Sequence, residues 1–413
     1  MHRQRAGLAF IIVTIFLDML GVGIVFPILP QLIASFLNGD LSAAAQYYGF
    51  FISLFAAMQF IFAPLLGALS DRYGRRPVLL VSLLGAGLDY ILLSFAPSLT
   101  WLFIGRIISG MTAASFTVAN AYIADVSPPE KRAQNFGVIG AAFGLGFIIG
   151  PVLGGAFGSL GPRVPFMVAG VLTLLNWLYG FFVLPESLPQ VHRRRFEWRS
   201  ANPLASLGSL ARYPVVTNLT LVIVCTSLAG MALQSTWILY TTFRFQWNTW
   251  EQGLTLALVG IASMVVQGWL IRVLLPRWGE RLALVIGLLN SIASFLLYGL
   301  ATQGWMIYVI LVGTALSFIA QPAAQALISN AVRPDEQGAI QGALTSVMSL
   351  TAIIGPVAAT SIFSYATAPG HAFHVPGAAF FLGAALTSLG LFLALRTFRR
   401  MPSPVPQVVL DER

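Results

Sequence analysis

Asp18, Asp89 and Arg106 each interrupt an otherwise apolar run in the first half of the chain. A charge at bilayer depth costs at least ~2.5–3.5 kcal/mol on insertion scales, so it marks a functional site by default. Two carboxyl groups and one guanidinium can do one kind of chemistry well. Burial and a neighbouring cation pull a carboxyl's proton affinity in opposite directions, which lets it take up and release protons. Two acids face a single arginine here. Asp18 therefore reads as the main protonation site, with Asp89 and Arg106 setting its affinity. A static Asp89–Arg106 pair, with Asp18 hydrogen-bonded to backbone, fits the same residues.

Depth supports a shared site. Asp18 precedes Pro27 by nine residues, Asp89 precedes Ala96 by seven, and Arg106 follows Thr100 by six. At 1.5 Å of helix rise per residue, all three lie roughly 9–14 Å below one membrane surface. Amides in other apolar runs are candidates for lining a cavity: Gln59, Asn120, Gln234, Gln267, Asn290, Gln321 and Gln325. Trp237, Phe243 and Trp247 suit an outer mouth or an interfacial aromatic belt.

Other chemistries find no residues. His2, His192, His371 and His374 fall in a tail, a linker and a loop, and His371-x₂-His374 lacks further ligands, so no metal site is expected. No phosphate-cradling Gly-x₄-Gly-Lys-Ser/Thr loop occurs, which excludes direct use of ATP. The single cysteine, Cys225, reads as core filling. No enzyme activity and no cofactor are expected.

The elements that must position these charges are membrane helices. The chain is 57% hydrophobic and 9% charged, against roughly 25% charged in soluble proteins. Its apolar residues come in runs of about 20, the length that spans a bilayer as a helix. Runs and breakers predict twelve spans, near 6–28, 45–69, 77–96, 99–125, 134–158, 164–184, 214–238, 251–274, 282–300, 304–329, 338–365 and 376–396. Short alternating strands of the β-barrel kind are lacking. Asp18 and the want of a small-residue cleavage site before Pro27 argue for a retained first helix rather than a signal peptide. Placing the N-terminus in the cytoplasm puts twenty of the 23 Lys and Arg on that side, leaving Arg163 and Arg244 outside and Arg106 within a helix. Both termini are then cytoplasmic. The net charge of +9 follows from topology and does not call for nucleic acid as a partner.

The two halves repeat. A shift of 205 residues sets Tyr73-Gly74-Arg75-Arg76 on Trp278-Gly279-Glu280-Arg281, Pro129-Glu130 on Pro334-Asp335, Gly137 on Gly342, and Gly150-Pro151 on Gly355-Pro356. Matches in three stretches (73–76, 129–137 and 150–151) at one offset indicate a duplication of six helices. The predicted organisation is a six-helix bundle over 1–184, a cytoplasmic linker over 185–213, a second bundle over 214–396 and a tail over 397–413. In such folds the substrate cavity lies between the bundles near the midplane.

Five strings of residues carry a family resemblance. The loop Gly67-x₃-Asp71-Arg72-x-Gly74-Arg75-Arg76 resembles the signature loop of the major facilitator superfamily, which implies a cytoplasmic gate with Asp125 as partner for Arg75 or Arg76. Gly146-x₃-Gly150-Pro151-x₂-Gly154-Gly155 resembles the antiporter motif of that family's exporters. Asp18-Met-Leu-Gly21-Val-Gly23, Gly85-Ala-Gly-Leu-Asp89-Tyr90 and Gly105-Arg106-Ile-Ile-Ser-Gly110 resemble the bacterial tetracycline/proton antiporters. The resemblance implies roles in proton coupling for Asp18, Asp89 and Arg106, and a transport role for Gln59. One departure stands out: those exporters carry an essential aspartate in the ninth helix, where this chain has Asn290.

The expected protein is an all-α membrane protein of twelve transmembrane helices in two pseudo-symmetric bundles, the major facilitator fold. The function implied by resemblance is proton-coupled efflux of an amphiphilic, tetracycline-like drug across a bacterial inner membrane, by a monomer surrounded by lipid. The proton is the coupling ion, and Mg²⁺ enters only as part of a chelated substrate. A multidrug or metabolite exporter, and a transporter-like ligand sensor, fit the same residues.

Overall fold

The computed structural model describes residues 2–113, 115–193, 207–333, 336–368 and 374–400. Most of the linker, Pro334-Asp335, His371 and the tail from 401 lie outside the described residues. The rest is helical, without a strand among the described residues. That outcome is what a bilayer imposes, since a helix satisfies every backbone donor and acceptor within its own segment.

Six spans form the first bundle. Helices α1 (His2–Val25) and α2 (Leu29–Ser35) make span one, broken by a turn at 26–28. Then come α3 (Leu41–Tyr73), α4 (Arg75–Ser94), the pair α5 (Leu99–Thr112) and α6 (Ser115–Val126), α7 (Pro129–Gly158) and α8 (Val164–Val183). The second bundle holds α9 (Pro214–Phe245), α10 (Thr249–Val265), α11 (Ile271–Leu300), the trio of α12 (Gly304–Gly313), a 3₁₀ turn and α13 (Ala320–Asn330), then α14 (Gln337–Thr367) and α15 (Ala378–Arg400). A π turn over 266–270 joins α10 to α11, so that 249–300 runs as 52 helical residues. At 1.5 Å per residue that is about 78 Å, far beyond a ~30 Å hydrocarbon core. The run divides at Gly279, whose φ of 70° and ψ of 162° leave the helical region. Twelve spans result, the tenth bent by 46° where α12 meets the 3₁₀ turn.

Two expected aromatic positions are corrected. Trp237 and Trp247 are buried within the second bundle rather than set in a belt or mouth. Trp237 donates its indole N–H to Thr255 Oγ1 at 3.3 Å and lies edge-on to Tyr298, so the polar atom finds its partner inside the protein. Cys225 is buried against Gly390, as core filling requires.

Among the described residues, the face bearing the start of α1 also carries most of the Arg and Lys; we term it the basic face. On the opposite face stand Arg163 and Arg244. Each donates to a carbonyl at the end of a helix, Arg163 to Ala96 O after α4 at 3.0 Å and Arg244 to Ala301 O after α11 at 3.3 Å. Cations are stabilised at helix C-termini by the macrodipole, which accounts for these exceptions to the charge asymmetry.

The bundles meet near this opposite face. Gln31 donates to Gln252 at 3.4 Å, Gln46 to Ser364 Oγ at 3.0 Å, Ser42 to Ser364 O at 2.9 Å, and Thr249 to Gly155 O at 3.2 Å. Toward the basic face, Gly137, Gly140 and Gly144 of α7 have open space where a Cβ would point. Ser42 and Ser364 oxygens are 3.1 Å apart. With Cys225 replaced by serine, a Ser42→Cys/Ser364→Cys protein should cross-link under mild oxidation and lose turnover, and reductant should restore it. Gel mobility and transport read both effects; absence of the cross-link would contradict this closure.

Candidate functional site

A cavity of about 450 Å³ lies between the bundles, walled by α1, α3, α4, α5 and α7 on one side and by α9 and α14 on the other. It is an apolar vault with all its charge on one wall. Asp18, Asp89 and Arg106 all line it, together with Gln59 from the first bundle and Gln234 from the second. Three residues from three helices thus share one chamber.

Local packing brings Arg106 to Asp89. Gly105 lets α5 approach α4 so closely that a Cβ there would fall 2.8 Å from Asp89 Oδ1 and 2.5 Å from Leu93 Cδ2. Arg106 Nη2 then stands 3.7 Å from Asp89 Oδ2, within ion-pair range and beyond hydrogen-bond length. The Asp89 carboxylate instead accepts a bond from the Ser109 hydroxyl. Ser109 is three residues after Arg106, so a single helical face presents both. Asp89 and Arg106 are nine-tenths or more buried. At such depth, unit charges about 4 Å apart interact by roughly 4 kcal/mol at an effective dielectric of 20. Moving a proton onto or off this wall changes its energy by an amount large enough to bias a conformation.

Sequence reasoning missed several lining residues. Tyr48, Tyr90 and Phe143 join from the first bundle, and Met231 and Ser235 from the second. Tyr90 adjoins Asp89 and Ser235 adjoins Gln234, so sequence proximity was a usable signal for both; Tyr48 had none. Asn120, Gln267, Asn290, Gln321 and Gln325 are not among the lining residues. Gln267 is exposed on the π turn and donates to Ser263, and Gln321 is exposed as well. Asn290 is half-buried, and its Oδ1 meets no hydrogen-bond partner among the described residues.

The glycine string of α7 works as a two-sided seam. Gly146, Gly150 and Gly154 lie against the α1 backbone; a Cβ on Gly150 would come 2.8 Å from Gly23 Cα, and one on Gly154 2.3 Å from Ile24 O. Gly155 turns to the other bundle, where a Cβ would sit 2.6 Å from Thr249 O. Pro151 lies inside α7, and its carbonyl faces Gly253 of α10. Small residues permit such backbone contact between membrane helices.

The expected loop 67–76 shrinks to Gly74, because α3 runs to Tyr73 and α4 starts at Arg75, and this junction at the basic face is an electrostatic knot. Arg75 Nη1 lies 2.6 Å from Asp71 Oδ1 and donates to Ser70 Oγ at 2.6 Å, while its Nε donates to Asp125 Oδ2 at 3.1 Å. Asp125 is thus the partner of Arg75. Arg76 instead donates to Phe181 O at 2.7 Å, and Arg72 packs over the Tyr73 ring. Gly67 receives the Ser70 hydroxyl on its carbonyl. Glu186, missed in the sequence, accepts the Arg75 and Arg76 backbone N–H groups at 2.8 and 3.3 Å, capping α4 from the first residues of the linker.

At the linker's other end, Tyr213 and Arg212 donate to Glu336. The Tyr213 bond, then the Arg212 bond and charge, hold that carboxyl below the usual glutamate range.

Gly74 makes the knot possible. Its φ of 107° favours glycine, and a Cβ would fall 2.2 Å from Glu186 Oε2. Gly279, its counterpart in the second half, has φ of 70° but open space around it. Gly74→Ala should therefore cost about 1–3 kcal/mol of backbone strain and also displace Glu186. Gly279→Ala should cost strain alone. Thermal unfolding of the purified variants should rank Gly74→Ala as the less stable; equal losses would count against the cap.

A family model described as Major Facilitator Superfamily matches residues 11–356. Among curated proteins, the chain is 39% identical to "Tetracycline resistance protein, class C" of Escherichia coli, over 93% of this chain and 95% of that protein. It is 38% identical to the class G protein of Vibrio anguillarum, over 88% and 91%. The solved structure of the human organic anion transporter MFSD10 (TETRAN) superposes with a TM-score of 0.67 at 26% identity, covering 95% of this chain and 99% of the other.

Proposed function

The chain belongs to the major facilitator superfamily, a membrane transporter rather than an enzyme, and on that premise we propose that it exports amphiphilic compounds, tetracyclines first among them, in exchange for protons. The observation that carries this reading is the charged wall: Asp18, Asp89 and Arg106 in one chamber between the bundles. The named relatives supply the drug class. The basic face is assigned to the cytoplasm of a bacterial inner membrane by its Arg and Lys, with both termini on that side. The arrangement described above is then closed outward.

In the proposed cycle, substrate enters from the cytoplasm while the carboxylates are ionised. The bundles 1–184 and 214–396 rock about the cavity, with 185–213 as the tether. Outside protons neutralise Asp18 as substrate departs, and proton release to the cytoplasm resets the site. An equilibrium shifts only by differential affinity for its two states, so Asp18 must meet different surroundings in each. Asp89 and Arg106 provide the field it responds to, and Gln59 and Gln234 contribute hydrogen bonds to the cargo. The knot of Asp71, Arg75 and Asp125 times the cytoplasmic gate. The chain works as a monomer in contact with lipid, and Mg²⁺ travels, where it does, inside a chelated substrate. A second reading, an exporter without tetracycline preference, draws on the second bundle's share of the cavity lining, which contains no carboxylate.

Purified protein in liposomes decides between them. With the outside acidified, tetracycline efflux from right-side-out vesicles should rise, and collapsing the gradient should halt it. Asp18→Asn should reduce gradient-driven transport at least about tenfold, the equivalent of ~1.4 kcal/mol. Asp18→Asn protein that still exchanged protons for drug at unchanged stoichiometry would remove Asp18 from the scheme. Efflux of unrelated amphiphiles in place of tetracycline would favour the second reading.

A further inference from the structure

The charged wall also leaves hydrogen-bond donors unused. Among the described residues, Arg106 Nε and Nη2 and the Tyr48 hydroxyl are buried without a hydrogen-bond partner. Tyr48 is 1% exposed and Arg106 9%, and both line the cavity. Asp89 does not satisfy the guanidinium: its Oδ2 is engaged by Ser109 and stands 3.7 Å from Nη2. The Phe55 ring, 6.0 Å from Arg106 Cζ, flanks the guanidinium and offers no acceptor.

We infer that Arg106 and Tyr48 form a subsite for an ionised oxygen of the transported compound, so that the cavity selects amphoteric amphiphiles. The guanidinium is a planar fork that matches an oxyanion with two N–H groups, and a phenol adds a third donor from α3. Asp18, from α1 on the same wall, receives the cationic or donor end of the same molecule, while Asp89 stays with Arg106 and Ser109. The facing wall of Met231, Gln234, Ser235 and Pro356 is neutral and accommodates the apolar body.

This division gives the coupling its sign. Protons compete for the Asp18 carboxylate, where they displace the cationic end. Substrate and proton then exclude one another at one end of the site, as antiport requires, while the other end fixes orientation.

The inference rests on the cavity being the transport site, and its test is independent of tetracycline. Rhodamine 110 carries a cationic xanthylium and a free carboxylate; rhodamine 123 is its methyl ester. Binding of each to wild-type protein in lipid nanodiscs, read by fluorescence anisotropy at pH 7.4, should show the free acid held at least about fivefold more tightly, or ~1 kcal/mol. Tyr48→Phe and Arg106→Lys should each bring the ratio of the two dissociation constants toward one. Size-exclusion profiles and thermal unfolding check that each variant is folded. Tyr48→Phe removes a single oxygen, so it carries the test should Arg106→Lys fail to fold. No saturable binding of the free acid, no preference in the wild type, or a preference unchanged in Tyr48→Phe would overturn the subsite. A preference lost on mutation, in a protein that does not move tetracycline, would uphold the subsite and reject only the drug assignment.

Discussion

A charge inside a bilayer has to be answered by another charge, by a hydrogen bond or by water, and the arrangement of this protein follows from that demand. Asp89 has a hydroxyl and a nearby cation; Arg106 has a nearby anion and an aromatic face. Neither is fully satisfied, since Asp89 Oδ1 and two Arg106 nitrogens lack hydrogen-bond partners among the described residues. A fully paired ion cluster would be inert, because any change of protonation would strand a charge at a cost of several kcal/mol. Partial satisfaction keeps alternative pairings close in energy. A transporter that visits two conformations needs such a site, because a proton or a substrate can then tip the balance with the few kcal/mol at its disposal.

The surrounding helices are arranged to permit this. Close approach at Gly105 sets the distance between the two charges, and the seam of α7 holds α1, which bears Asp18, at a fixed offset from α10 of the other bundle. The seam touches both bundles, so movement between them is felt at the element that supports Asp18. Direct hydrogen bonds between the bundles near the opposite face join amides, hydroxyls and carbonyls and involve no charge. Neutral bonds net about 1 kcal/mol each, weak enough to be exchanged for others in a cycle. The ionic contacts around Arg75 at the basic face lie within the first bundle and do not join the two bundles.

Much of this was legible in the sequence, for physical reasons. Bilayer thickness makes spans visible as apolar runs, and the cost of an intramembrane charge makes Asp18, Asp89 and Arg106 conspicuous. The residues 67–76 could be paired with Asp125 because their pattern resembles a family signature that implies that partner. Amides announce nothing comparable. Gln59 and Gln234 reach the cavity whereas Asn120, Gln267, Asn290, Gln321 and Gln325 do not line it, and helical periodicity in an all-apolar helix does not say which face turns inward. Tyr48 was invisible for the same reason. Glu186 was overlooked because a cap formed by a residue more than a hundred positions away leaves no local pattern. Trp237 was misplaced because aromatic residues near a span's end suit the interface and the core alike.

The duplication shows how geometry and chemistry separate. Gly74 and Gly279, 205 positions apart, both adopt positive φ at the same turn of their halves. In the first half Arg75 donates to Asp125; at the same offset, Asn330 donates to Glu280 at 2.9 Å. The contact persists with its polarity reversed and one charge deleted. Ala96 and Ala301 likewise both receive an arginine after the third helix of their halves. Turns, caps and helix seams are demands of the backbone, so both copies must meet them. Intramembrane charge is costly to keep, and the cavity lining carries it on the first copy alone. The bare wall contributed by α9 and α14 is therefore what a division of labour produces: one bundle holds the protonatable groups, and the other supplies a neutral surface against which cargo of varied shape can rest.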